Sequence, residues 1–227
     1  VADLAACLAA MGAHIEGAGT HRILIAGGTE WKPAKHHGIP DRIEAGTYAV
    51  AAAITGGTLE LTNARIENLA AVIQLLEAMG TNVWPSSRGL VVSRNGPLQT
   101  ADITTEPYPG FPTDLQAQFM ALACIAEGTS LIRETIFENR FMHVPELIRL
   151  GADIRLQGTT AVIHGGKPLE GAQVMATDLR ASVSLVLAAL AAEGETVINR
   201  VYHLDRGYEQ LDRKLAQCGA HIERLRD

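Results

Sequence analysis

Apolar positions along the chain recur in two interleaved patterns. In the first, Leu4, Cys7, Leu8 and Met11 carry the i, i+3, i+4, i+7 spacing of a helix with one buried face. Gly12 ends it and Ala13, His14 and Ile15 begin a strand. Gly17-Ala18-Gly19-Thr20 then predicts a hairpin turn into a strand over 23–26. The same punctuation returns as Leu76, Met79, Gly80 and Val83, as Leu147, Leu150, Gly151 and Ile154, and as Leu215, Cys218, Gly219 and Ile222. In each copy a leucine lies four positions before the glycine and Ile or Val three after it. The glycines recur at near-equal intervals of about 70 residues, which marks an internal structural repeat.

The second pattern is apolar nearly all round, the mark of a buried helix. It predicts helices over 46–54, 115–126 and 179–192, each preceded by an acid: Asp41, Asp114 and Asp178. Each is followed by a glycine and a threonine and then a strand, over 59–61, 131–137 and 197–201. An acid at a helix head is a repeated folding device, an N-cap favoured by the helix dipole. Three such heads can also point at one place, and helix N-termini favour anionic ligands.

The stretch from Glu106 to Arg140 organises the rest. Pro107, Pro109 and Gly110 extend and then turn the backbone, and Thr113 and Asp114 offer capping oxygens to the central helix. The strand over 131–137 delivers Glu138, Asn139 and Arg140 at its end. A carboxylate and an arginine so placed form a polar site on an apolar scaffold; an N-cap beside a solvated strand end is the alternative.

From about Gly38 onward the pattern contains three complete units of buried helix, strand, amphipathic helix and hairpin, over about 38–107, 108–172 and 173–227. Residues 1–37 read as the second half of a preceding unit with a linker, and 38–227 as a second domain. A repeat protein rarely begins in mid-unit, so the expectation is the C-terminal part of a longer or split protein.

Composition narrows the function. A chain of 227 residues, 47% hydrophobic, can bury a large core. A net charge of −6 with no basic run argues against nucleic acid or an anionic membrane as partner. No apolar run is long enough to span a bilayer, and nothing reads as a signal peptide. Cys7, Cys124 and Cys218 are far apart in helical patterns and read as reduced core residues of a cytoplasmic protein. His36-His37 reads as a solvated loop pair, and no spacing suggests a metal site.

Five ungapped motifs carry a family resemblance. They are IPDRIEAGT from Ile39, PGFPTDLQ from Pro109, ETIFENRF from Glu134, ATDLRAS from Ala176 and HLDRGYE from His203. In order and across the whole chain they resemble the bacterial UDP-N-acetylglucosamine enolpyruvyl transferases. The resemblance implies an α/β fold of six βαβαββ units in two inside-out barrels, helices inside and sheets outside. It implies transfer of the enolpyruvyl group of phosphoenolpyruvate to the sugar 3′-hydroxyl with release of phosphate. That is the first committed step of peptidoglycan synthesis, and so bears on cell-wall biogenesis, cell shape and division. No cofactor is implied.

An alkyl hydroxyl is a poor nucleophile and needs a base. By the resemblance Asp114 is that carboxylate, and Asp178 a second one near the reacting centre. Ile136 matches the position whose backbone carbonyl holds the nucleotide, and Phe137 its neighbour beside the sugar; from the residues alone both read as strand core. Arg206 matches the arginine that contacts phosphoenolpyruvate. Arg140 and Arg180 match arginines near the site, with surface pairs to Glu138 or Asp178 as the alternative. Asp205 reads as a strand-end residue orienting Arg206.

The family's reactive cysteine, on a mobile glycine-rich loop, matches none of the three cysteines here, and its Lys-Asn pair and loop arginine are also missing. The chain is therefore expected to supply about half a site and to be inactive alone, with the rest on a missing N-terminal half. Two alternatives stay open: a shikimate 3-phosphate enolpyruvyl transferase, and a non-catalytic repeat domain that binds the sugar nucleotide.

Overall fold

The structure, a computed structural model, describes residues 1–27 and 30–225. Its chain divides into two compact units, Val1–Pro40 and Asp41–Asp227. In the first, helix α1 (Ala2–Ala10) runs into an antiparallel pair, β1 (His14–Glu16) and β2 (Leu24–Ala26), with His14 opposite Ala26 and Glu16 opposite Leu24. The turn requires Gly17, at φ +72°, where a Cβ would lie 2.2 Å from the Arg22 carbonyl oxygen. His36 Nε2 lies 3.1 Å from Asp3 Oδ1, so this histidine is anchored and not merely solvated.

The second unit begins with α2 (Arg42–Thr55), β3 (Thr58–Thr62), α3 (Ala70–Ala78), β4 (Asn82–Pro85) and β5 (Gly89–Ser93). It continues with β6 (Ile103–Thr104), α4 (Gln116–Ile125), β7 (Gly128–Arg133), α5 (Val144–Arg149), β8 (Asp153–Gln157) and β9 (Thr160–Gly165). It ends with β10 (Gln173–Met175), α6 (Val183–Ala191), β11 (Val197–Asn199) and α7 (Leu211–Gln217). The sheets are separate: β3-β5-β4, β6-β7-β9-β8 and β10-β11, and none closes on itself. β6 pairs with β7 in parallel, as β10 does with β11, and the hairpins β4–β5 and β8–β9 are antiparallel.

The three apolar helices α2, α4 and α6 pack on one another, with β3 and β5 against α2 and β7 and β9 against α4. α4 is buried from Gln116 to Cys124, with Phe119, Met120 and Leu122 wholly inside. Removing such side chains from water stabilises the fold by about 1.5–3 kcal/mol each. Close approach of sheet and helix requires Gly165: a Cβ there would lie 2.2 Å from the carbonyl oxygens of Ala123 and Ala126.

The repeat is less regular than its sequence pattern. Only the middle unit holds the full set β6-α4-β7-α5-β8-β9. Among the described residues the first unit has no strand before α2, and the third has no hairpin after α7. Ile222 therefore begins no strand, because no neighbouring edge pairs with it. Two strands stop early, at Asn199 and at Arg133. α6 starts four residues later than expected, because 179–182 form a turn folded around side chains.

Candidate functional site

The acids expected at the helix heads take three different roles. Asp41 is an N-cap: its Oδ1 accepts from the amides of Ile43 at 2.7 Å and Glu44 at 3.3 Å. Asp178 organises the turn ahead of α6, its Oδ1 accepting from the amides of Arg180 and Ala181 at 2.8 and 2.6 Å. Asp114 caps nothing, contrary to the expectation. It sits in a short 3-10 turn, Thr113–Leu115, and its Oδ1 receives Arg140 Nη2 at 2.7 Å. Thr113 is not a cap either, since its hydroxyl lies between Glu134 and Arg140.

The expected strand over 131–137 ends at Arg133 because the next side chain captures the backbone. Glu134, buried to 4% exposure, accepts the amides of Ile136 at 2.8 Å and Phe137 at 3.0 Å on one oxygen. Amides so engaged cannot continue a ladder. Thr135 bonds back to Thr105 through both its amide and its hydroxyl. The loop turns at Asn139, whose φ of 57° is left-handed. Ile136 and Phe137 therefore stand exposed, at 43% and 61%, and are not core. Arg140 reaches back from the loop, its guanidinium 5.2 Å from the Phe137 ring centroid.

Arg140 pairs with Asp114 and not Glu138; Arg180 pairs across helices with Asp41, Nη2 to Oδ2 at 3.5 Å, and not with Asp178. The Arg180 guanidinium also lies 5.4 Å from the ring centroid of Tyr208. Beneath it is a buried polar knot: the Tyr208 hydroxyl lies 3.0 Å from Thr47 Oγ1, and Gln118 Nε2 donates to both oxygens and to the Asp114 carbonyl. Burial pushes the Tyr208 phenol up, so it stays protonated. These contacts bring the heads of all three buried helices to one polar place.

Arg206 ends a 3-10 helix, Val201–Arg206; it is exposed and makes no ion pair among the described residues. Asp205 does not orient it: its carboxylate receives a forked pair from Arg224, at 2.8 and 2.5 Å.

The residues missed at the sequence level were Glu134, Thr113 as a bridge, Thr47, Gln118 and Tyr208. Polar residues inside otherwise apolar stretches were the available signal for Thr47 and Gln118. His143, wholly buried, is held near pKa 4 by burial, so its imidazole is neutral. Cys124 is buried and its thiol pushed up to about 12, whereas Cys7 is half-buried and Cys218 exposed, so only Cys124 is core. Among the described residues no cluster of His, Cys, Asp or Glu could hold a metal, and no helix is long and apolar enough to cross a membrane.

Buried helices whose heads gather arginines and acids, flanked by separate sheets, define a class. Residues 1–215 match the family of EPSP synthase (3-phosphoshikimate 1-carboxyvinyltransferase), and the chain belongs to that enolpyruvyl transferase family, with its mixed α/β fold. Within it, the chain is 79% identical over 99% of its length to a UDP-N-acetylglucosamine 1-carboxyvinyltransferase 2 of Mesorhizobium japonicum, covering 54% of that protein. It is 62% identical over its whole length to a UDP-N-acetylglucosamine 1-carboxyvinyltransferase of Methylorubrum populi, covering 53%. It thus spans about half the length of these curated relatives. The solved enolpyruvyl transferase NikO from Streptomyces tendae superposes with a TM-score of 0.86 at 32% identity, over 97% of this chain and 53% of that one. EPSP synthase from Acinetobacter baumannii superposes at 0.74 and 20% identity, over 95% and 54%, a likeness of fold alone.

Proposed function

We propose that this chain supplies part of a site that moves the enolpyruvyl group of phosphoenolpyruvate to the 3′-hydroxyl of UDP-N-acetylglucosamine, releasing phosphate. The observation that carries the reading is the 79% identity to a protein named for that transfer, over nearly the whole chain. Asp114 is the base that takes the hydroxyl proton as the oxygen attacks C2, and its contact with Arg140 keeps it aimed. The exposed Ile136 and Phe137 hold the nucleotide sugar by backbone carbonyl and ring. Arg206, Arg180 and Arg140 neutralise the carboxylate and phosphate of the second substrate, a task suited to planar, permanently charged forks. Asp178 assists proton transfer beside them.

On this reading residues 38–227 form one inside-out barrel and residues 1–37 the tail of another domain with its linker. The reactive-cysteine loop lies in the portion of the relatives that this chain does not span. The setting is cytoplasmic peptidoglycan synthesis, with no cofactor. The test is a chimera in which this chain replaces the matching stretch of the Mesorhizobium relative. Phosphate release from phosphoenolpyruvate is expected with UDP-N-acetylglucosamine and not with shikimate 3-phosphate. Release only with shikimate 3-phosphate, or with neither, overturns the reading. The chain alone is expected to release none.

A further inference from the structure

Glu134 has no part in the proposed chemistry, yet it is the most fully engaged carboxylate among the described residues of the second unit. Its Oε1 accepts from Thr105 Oγ1 at 2.7 Å and from the amides of Ile136 and Phe137, and its Oε2 accepts from Thr113 Oγ1 at 2.7 Å. Burial alone would raise its pKa, but these hydrogen bonds outweigh burial and hold the carboxyl below the usual range. Four donors on one buried acid join the residue after β6, the turn ahead of α4 and the loop after β7.

The Thr113 hydroxyl has a direction that chemistry alone settles. A carboxylate cannot donate and a guanidinium cannot accept. Thr113 must therefore give its one hydrogen to Glu134 and offer a lone pair to Arg140 Nη1, 3.0 Å away. The other nitrogen of that guanidinium, Nη2, then meets Asp114. Every direction in the chain Glu134, Thr113, Arg140, Asp114 is therefore fixed: Thr113 donates to the buried Glu134, and Arg140 donates both to Thr113 and to Asp114.

We infer that Glu134 is a positioning residue with two arms: one oxygen sets the Ile136–Phe137 loop, and the other, through Thr113, sets the Arg140–Asp114 pair. This rests on the proposed function for the identity of what is positioned, but the hydrogen-bond geometry does not. The arms are separable by substitution. In Glu134→Gln the remaining oxygen stays with the two amides, which can only donate. The new amide nitrogen then faces Thr113, whose hydroxyl hydrogen loses its acceptor. Thr113→Val breaks the same arm from the other side. Glu134→Ala breaks both.

The first readout is amide hydrogen exchange on this chain. Exchange at Ile136 and Phe137 is expected to accelerate in Glu134→Ala, to change little in Glu134→Gln and Thr113→Val, and to stay unchanged at Ile132 in all three. The second is kinetics in the chimera. Glu134→Gln and Thr113→Val should lower kcat about 10- to 100-fold, the cost of misplacing a reacting group, with KM for the sugar nucleotide nearly unchanged. Glu134→Ala should raise that KM as well. An inactive parent chimera would sink the proposed function while the exchange experiment still judges Glu134. Unaltered exchange at Ile136 and Phe137 in Glu134→Ala would overturn the loop arm. Equal losses in kcat/KM through KM alone, in Gln and Val variants, would overturn the Thr113 arm and leave Glu134 a structural acid.

Discussion

The heads of α2 and α4 are the same device in sequence and opposites in structure. Both present an acid a few residues before an apolar helix. Asp41 spends its Oδ1 on two amides of its own helix and meets Arg180 only through Oδ2, at 3.5 Å. Asp114 leaves the amides of α4 alone and faces Arg140, which arrives from a loop 26 residues away. A side chain that serves its own helix is part of folding; one held by a partner from another element is available for chemistry. The 3-10 turn at Thr113–Leu115 makes the difference, because it carries the carboxylate off the axis where a cap would sit.

The largest effect that sharpens this contrast is catalytic. Asp114→Asn in the chimera should lower kcat about 10²- to 10⁴-fold, the usual contribution of a general base, while Asp41→Asn, which keeps a good cap, should leave it within about threefold. Similar losses at both positions would erase the distinction. Stability should show the reverse order. Asp41→Ala should cost about 0.5–2 kcal/mol in urea unfolding, the value of a lost cap, and Asp114→Ala should cost less.

A pH dependence adds a further test at the head of α5, where burial pushes the His143 pKa down while Asp178 raises it and Arg140 lowers it. Its folded pKa, about 4, is below the ordinary 6.5. The unfolded chain therefore binds the proton more readily, and stability falls as pH drops from about 6.5 to about 4. His143→Asn should flatten that part of the urea-midpoint profile; an unchanged slope would mean that other groups carry it.

Much of this was legible in the residues. The hydrophobic spacing located the buried helices, the glycine register exposed the repeat, and the acids at the helix heads pointed to a shared polar place. The motifs tied the chain to its family. The pairings were not legible. Arg140 and Arg180 both found acids on other elements, as did Asp205 with Arg224, because ion-pair partners are chosen by tertiary proximity. Ile136 and Phe137 were misread as core because apolar alternation says nothing about whether the amides between them are free to pair.

Local periodicity and turn chemistry act over a few residues, so the sequence by itself determined the three buried helices and their order, but not the face of α1, where Leu4 is exposed and only Ala5 is buried. Which strand lacks a neighbour, where β7 breaks, and which acid caps and which meets an arginine were decided by the tertiary structure. Each depends on a donor or acceptor brought from far along the chain, such as Thr105, Thr113 and Arg140 converging on the region of Glu134.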